Sequence, residues 1–295
     1  MQLISKQSAA TLLRSLVPEC EWLLRQIESE QGWFRFPPQL SAAIKNLKLE
    51  NYPLIYENEN AIAYAFLRGL LPEDELIELS SHLESASLDE RGEFLDQMMT
   101  TLSSGFEGAK WPMSDEEIIR QKRIYDSWSL EERRENVRSA QFLLIGFLSS
   151  FYQCLSVMVH GEKLSALIAQ AKAGNDDAFV KAVQIDRRIL NSIPYFQDRY
   201  AFAQDQGDIN FFDRLAYRLK TAPYVGKIRF KSLWLSFSLL DQVGLLRTLP
   251  HSEILDICDD AGVGGFKNRI EDVKSLRKRL ADYYKFQKRG VIATH

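Results

Sequence analysis

A chain of 295 residues, 45% hydrophobic and 26% charged, with only nine prolines and fifteen glycines, can bury a substantial core and lacks the composition of a disordered protein. Three cysteines, Cys20, Cys154 and Cys258, lie far apart in apolar surroundings, which argues against a disulfide framework or a metal cage and for reduced, buried thiols. The net charge of −3 hides an asymmetry: residues 1–185 hold 18 Lys plus Arg against 27 Asp plus Glu, whereas residues 186–295 hold 19 against 13. A basic second half points to nucleic acid or an acidic partner.

Met1 to Lys6 leads into Ser8-Ala-Ala-Thr-Leu-Leu without the basic and apolar regions of a secretory signal, so a cytoplasmic location is expected. From Ser8 to Leu102 the pattern predicts a series of short helices. Pro18 is expected as the first residue of one of them, where its missing N–H costs nothing. Asn51-Tyr-Pro53 marks a break, and Leu71-Pro-Glu-Asp-Glu75 opens a further helix.

Three stretches have the capping-box form, in which a Ser oxygen and a Glu three residues later satisfy free N–H groups reciprocally. They are Ser87 to Glu90, Ser114 to Glu117 and Ser129 to Glu132. Between the first two, Ser103 to Pro112 is rich in Gly and Ser and reads as a linker. Two subdomains follow from it: an acidic helical one over 1–105 and a helical one over 114–295.

Ser139 to His160 contains no charged residue apart from its terminal histidine. Wound as a helix it is apolar around nearly its whole circumference, except for the narrow stripe Gly146, Ser149, Gln153 and Ser156. Such a helix is buried in a core or in a bilayer. Gln141, Gln153 and four serines, with no orienting charge bias at the flanks, make a membrane span the weaker reading. The expected fold is therefore all-α, with helical hairpins packed around this central helix.

Gly161 lets the chain turn. Two similar turns then follow, at Gly174-Asn175 and Gly207-Asp208, each with a glycine to end one helix and a capping side chain to begin the next. Their spacing of 33 residues is near a tetratricopeptide period, but the Trp, Tyr and Pro positions of that family are missing, so hairpins and not a repeat array are expected. Lys227 to Lys231 alternates as a strand would, yet the longer apolar run Leu233 to Leu240 fits a buried helix, which is the expectation adopted. A short helix over 252–261 and a last helix over 271–289 complete the chain.

The last helix carries the clearest functional signal. On a wheel of about 100° per residue, Tyr283, Leu276, Leu280, Val273 and Tyr284 share one face. The neighbouring arc collects Lys274, Arg277, Lys278, Lys285, Lys288 and Arg289, with only Ala281 uncharged among them. Such a row suits phosphate contacts, although bases toward a helix C-terminus are also what the dipole prefers on any exposed helix. Upstream, Arg218, Lys227, Arg229 and Lys231 interleave with aromatic residues and form a secondary patch. There the rings are expected to fill the core beneath Arg and Lys stems. A helix-turn-helix in Ile254 to Val263 is disfavoured, because Gly264-Gly265 lengthens the turn.

Catalytic motifs are missing: no P-loop, nucleophile elbow, zincin helix or paired-cysteine motif occurs. Three His-x-Glu triplets, at His82, His160 and His251, lack the rest of a zinc deaminase signature. The expectation is a protein without cofactor or metal that binds a macromolecule and does not catalyse a reaction. Nucleic acid is its first candidate partner and an acidic protein surface the second. An enzyme with residues scattered in sequence is a third possibility.

Overall fold

The computed structural model describes residues 5–29, 45, 54–57, 114–220, 228, 230–263 and 270–289, which among themselves form twelve helices and no strand. The expected linker, the first capping box and His82 lie outside the described residues.

Helix α1, Lys6–Ser29, is one continuous element with Pro18 inside it, not at its start. The expectation of a helix beginning at Pro18 is therefore corrected. Leu12, Leu13, Leu16, Val17, Cys20 and Leu23 are all buried at helical spacing across that position, while Pro18 itself faces solvent. Burying that stripe outweighs the roughly 3 kcal/mol that an interior proline costs. Helix α2, Leu54–Glu57, buries Ile55 and Tyr56.

Helix α3, Asp115–Ser127, opens with the expected box: Glu117 N donates to Ser114 Oγ at 3.2 Å, and Ser114 N donates to Glu117 Oε2 at 3.0 Å. The second box, Ser129 with Glu132, opens α4, Leu130–His160. The central helix thus starts nine residues before its apolar run and spans 31 residues. Its second half is the centre of the molecule, with Leu148, Phe151, Tyr152, Cys154 and Leu155 at most 1% exposed. Gly161 ends it at φ 78°. No single helix among the described residues is long and apolar enough to cross a membrane, and the one pair that passes together, 144–160 with 164–172, is bent by 78°.

Helices α5, Leu164–Lys172, and α6, Asp176–Ile185, form the first hairpin. Gly174 has φ 94°, and Asn175 Oδ1 accepts from the N–H groups of Asp177 and Ala178. After the single turn α7, Ile189–Ser192, come α8, Pro194–Asp205, and α9, Ile209–Lys220. Gly207 has φ 62°, and Asp208 Oδ1 accepts from Phe211 N at 3.0 Å. Phe179 of α6 stacks on Phe196 of α8 at 4.4 Å and meets Phe211 of α9 edge-on at 5.2 Å, so both later helices seat on the first hairpin.

The ambiguous segment is helical from Lys231 onward: α10, Lys231–Gln242, buries every residue from Leu233 to Leu240. Helices α11, His251–Asp260, and α12, Ile270–Arg289, follow near their expected bounds. Helix α1 lies against α10 and α11. Ser232 Oγ donates to Glu21, Arg14 donates to the Asp260 carbonyl at 2.7 Å, and Lys6 pairs with Glu253 at 2.9 Å. The first helix of the chain thus belongs to the same continuous core as the last third.

Candidate polyanion-binding face

Four side chains hold α12 in place: Leu276, Leu280, Tyr283 and Phe286, each at most 4% exposed. Trp234 of α10 meets Tyr283 and Phe286 edge-on at 5.3 and 5.2 Å, and Phe237 meets Tyr283 at 5.5 Å. Tyr284 donates to the Leu246 carbonyl at 3.2 Å. Every aromatic side chain of the helix is committed to the protein interior or its margin. Arg279, outside the cationic arc, lies 4.1 Å above the Phe230 ring and fastens the approach to α10.

The opposite side is different. Lys274, Arg277, Lys278 and Lys285 are exposed, and none forms an ion pair with a described residue. Lys288 and Arg289 continue the same arc within the helix, and their side chains fall outside the described residues. The helix is seated on the core on one side and on the other presents Lys274, Arg277, Lys278 and Lys285, unpaired among the described residues.

The secondary patch is arranged otherwise. Arg218 lies 3.8 Å from Asp177. Next to it Arg214 and Arg199 both reach Asp176, at 3.0 and 2.9 Å, and Arg199 reaches Asp208 at 3.5 Å while covering the Phe211 ring at 4.3 Å. The guanidinium groups of α8 and α9 are thus tied to carboxylates at the starts of α6 and α9. Lys231 is half-buried as the first residue of α10, and Lys227 and Arg229 lie outside the described residues. Rings on α8 and α9 divide. Phe196 and Phe211 are core residues and Phe202 is 60% exposed. The rings interleaved with the basic residues do not fill the core as expected: Tyr200, Tyr217 and Phe230 are 38%, 70% and 37% exposed, because α8 and α9 seat on α6 through Phe196 and Phe211 instead. Tyr224 lies outside the described residues.

One polar cluster had no signature in the sequence. Asp186, buried at the end of α6, accepts from Tyr56 at 3.1 Å and Tyr152 at 2.6 Å, and Arg188 grips both its carboxylate oxygens at 2.7 to 3.0 Å. Burial pushes both tyrosine hydroxyls well above their usual range. Every member has a partner inside the cluster, which ties α2, α4 and α6 together. Its residues come from three places in the chain, and only their assembly reveals it.

At the two described histidine triplets the acidic residues are engaged elsewhere. The Glu162 carboxylate accepts from Gln170 at 2.7 Å, and Glu253 is occupied by Lys6. His160 is buried, hydrogen-bonded to the Lys181 backbone, with Nε2 unpartnered. Burial, with help from Arg218 and Lys181, lowers its pKa to about 3. Among the described residues no three His, Cys, Asp or Glu side chains are grouped as metal ligands. The three thiols are free and buried, and burial raises Cys154 to about 11 and Cys258 to about 12, which makes them poor nucleophiles. Among the described residues the next helix after α11 is α12, Ile270–Arg289, a longer separation than a helix-turn-helix connection.

No protein-family model, curated protein or solved structure matches the chain.

Proposed function

We propose that this is a soluble, cytoplasmic, non-catalytic protein that binds nucleic acid through the exposed face of α12, with Lys274, Arg277, Lys278 and Lys285 contacting phosphates and Lys288 and Arg289 extending the row. The observation that carries the reading is the contrast between this row, unpaired among the described residues, and the arginines of α8 and α9, which are held by Asp176, Asp177 and Asp208. A cation already neutralised by a carboxylate has less to gain from a phosphate. Buried, unbridged thiols suit a reducing compartment.

The test is the variant K274E/K278E/K285E. All three lysines are exposed, so its melting temperature should match the wild type. Wild-type protein should bind fluorescent nucleic acid with affinity that falls as salt rises, and the variant should lose at least about tenfold at low salt. Equal binding by both proteins would remove α12 from consideration.

A second reading, an adaptor between protein partners, draws on α3. Ile118, Ile119, Ile124 and Tyr125 are 36 to 52% exposed on a helix that carries Asp115, Glu116 and Glu117 at one end and Arg120, Lys122 and Arg123 beyond. In that reading the cations of α12 meet an acidic protein surface. Loss of a defined protein partner in K274E/K278E/K285E, without any nucleic-acid binding by wild type, would establish it.

A further inference from the structure

We infer that the polyanion taken by α12 is a double-stranded nucleic acid, gripped along its phosphates with little regard to sequence; this rests on the nucleic-acid reading above. Single strands are held by two features placed together, a cationic track and exposed rings on which the bases stack. Here the two are separated. The cationic arc of α12 holds Lys and Arg with Ala281 alone between them, while Tyr283 and Phe286 are 0% and 4% exposed on the other side of the helix. The exposed rings Phe202 and Tyr217 sit on α8 and α9, where the neighbouring guanidinium groups are engaged by carboxylates, and Phe230, 37% exposed, lies under Arg279, outside the cationic arc. Among the described residues, a strand lying on the cationic arc of α12 would find charge but no exposed ring within that arc.

What α12 offers is a rigid line of charge. From Lys274 to Arg289 the helix advances about 22 Å at 1.5 Å per residue. A duplex presents about one phosphate per 1.7 Å of its axis, twice the density of one of its strands at the same rise. Displacing condensed counterions from the denser, stiffer lattice releases more free energy per lysine, so a pure charge contact favours the duplex. The arc also carries no Asn or Gln, the side chains that pair with adenine in the major groove, so base identity goes largely unread.

The experiment uses the full chain and fluorescence anisotropy over a range of KCl concentrations. The probes are two complementary oligonucleotides of about 20 nucleotides, their duplex, a duplex of scrambled sequence, and poly-glutamate as an acidic polypeptide, the duplex length being roughly that of a standard specific site. The proteins are wild type, K274E/K278E/K285E and F202A/Y217A. The duplex should bind roughly tenfold tighter than either strand, with the scrambled duplex within about twofold. K274E/K278E/K285E should lose that binding and flatten the log–log salt slope by about 2 to 3. F202A/Y217A should bind the duplex as wild type does.

Two results would overturn the duplex assignment while leaving nucleic-acid binding intact. One is a single strand bound as tightly as the duplex. The other is weaker binding by F202A/Y217A with an unchanged melting temperature. If wild type binds none of the nucleic acids, the underlying reading fails too, and poly-glutamate binding in that case assigns the face to an acidic protein.

Discussion

The Tyr152 hydroxyl donates a 2.6 Å hydrogen bond to Oδ2 of Asp186, and the same carboxylate is held by Arg188 across the turn that follows α6. Asp186 is 7% exposed, and the Arg188 side chain is about one-third exposed, which screens the pair in part. Asp186→Ala should therefore cost about 3 kcal/mol in urea unfolding, because it leaves a half-buried guanidinium and two buried hydroxyls without their acceptor. Arg188→Met in the same chain should recover part of that loss. A double variant as unstable as the sum of the two singles would show that the residues are not coupled.

Leu148 and Leu155 lie in the middle of α4 at 1% and 0% exposure. Replacing either with Asp should leave the chain aggregated or unfolded, since an unpaired charge there costs on the order of 4 kcal/mol or more. A monodisperse variant with unchanged melting temperature would show that this half of α4 is not the core.

His160 sets an acid limit on stability. Its pKa is about 3 in the folded protein against an ordinary 6.5, because burial and the nearby Arg218 and Lys181 oppose a third positive charge and outweigh the hydrogen bond to the Lys181 backbone and the charge of Asp177. Between those values the unfolded chain takes up a proton that the folded chain refuses. The contribution is fully present above pH 6.5 and is lost as pH falls toward 3. His160→Asn, which retains a donor for the Lys181 backbone, should lose about 2 kcal/mol less stability than wild type between pH 7 and pH 4.5. Identical losses would place the acid sensitivity elsewhere.

Gly174 and Gly207 hold the two hairpin turns at φ 94° and 62°, and a Cβ at either position would meet nothing within 4 Å. Backbone strain alone is then the cost. Gly174→Ala and Gly207→Ala should each lose about 1 kcal/mol, additively, visible as a shift of about 2 °C apiece in thermal unfolding. A loss far above that would mean the side chain collides with something.

Local chemistry was the readable part of this sequence. The capping boxes at Ser114 and Ser129, the glycine turns at 174 and 207, and the uncharged run of α4 each declare themselves within a few residues, and each occurs in the fold. Pro18 misled because its local preference for a first turn is worth less than the buried stripe running through it from Leu12 to Leu23. The candidate face was legible as far as one helix can show it. What a wheel could not show is which cations already have partners: the pairing of Arg218 with Asp177 and of Arg214 with Asp176 joins residues about forty apart. The exposure of Tyr217, two residues from buried Leu215, is likewise set by which face of α9 packs on the core.

Helix α4 has one hydrogen-bonding pattern and two environments. Leu130 is 67% exposed and Leu155 is 0% exposed on the same 31-residue element. Backbone amides near its start should exchange with deuterium by fraying, whereas those between Leu148 and Met158 should exchange only when the whole core opens. The opening free energies read from exchange along this one helix should therefore form a scale, low at the first turn and approaching the global stability between Leu148 and Met158.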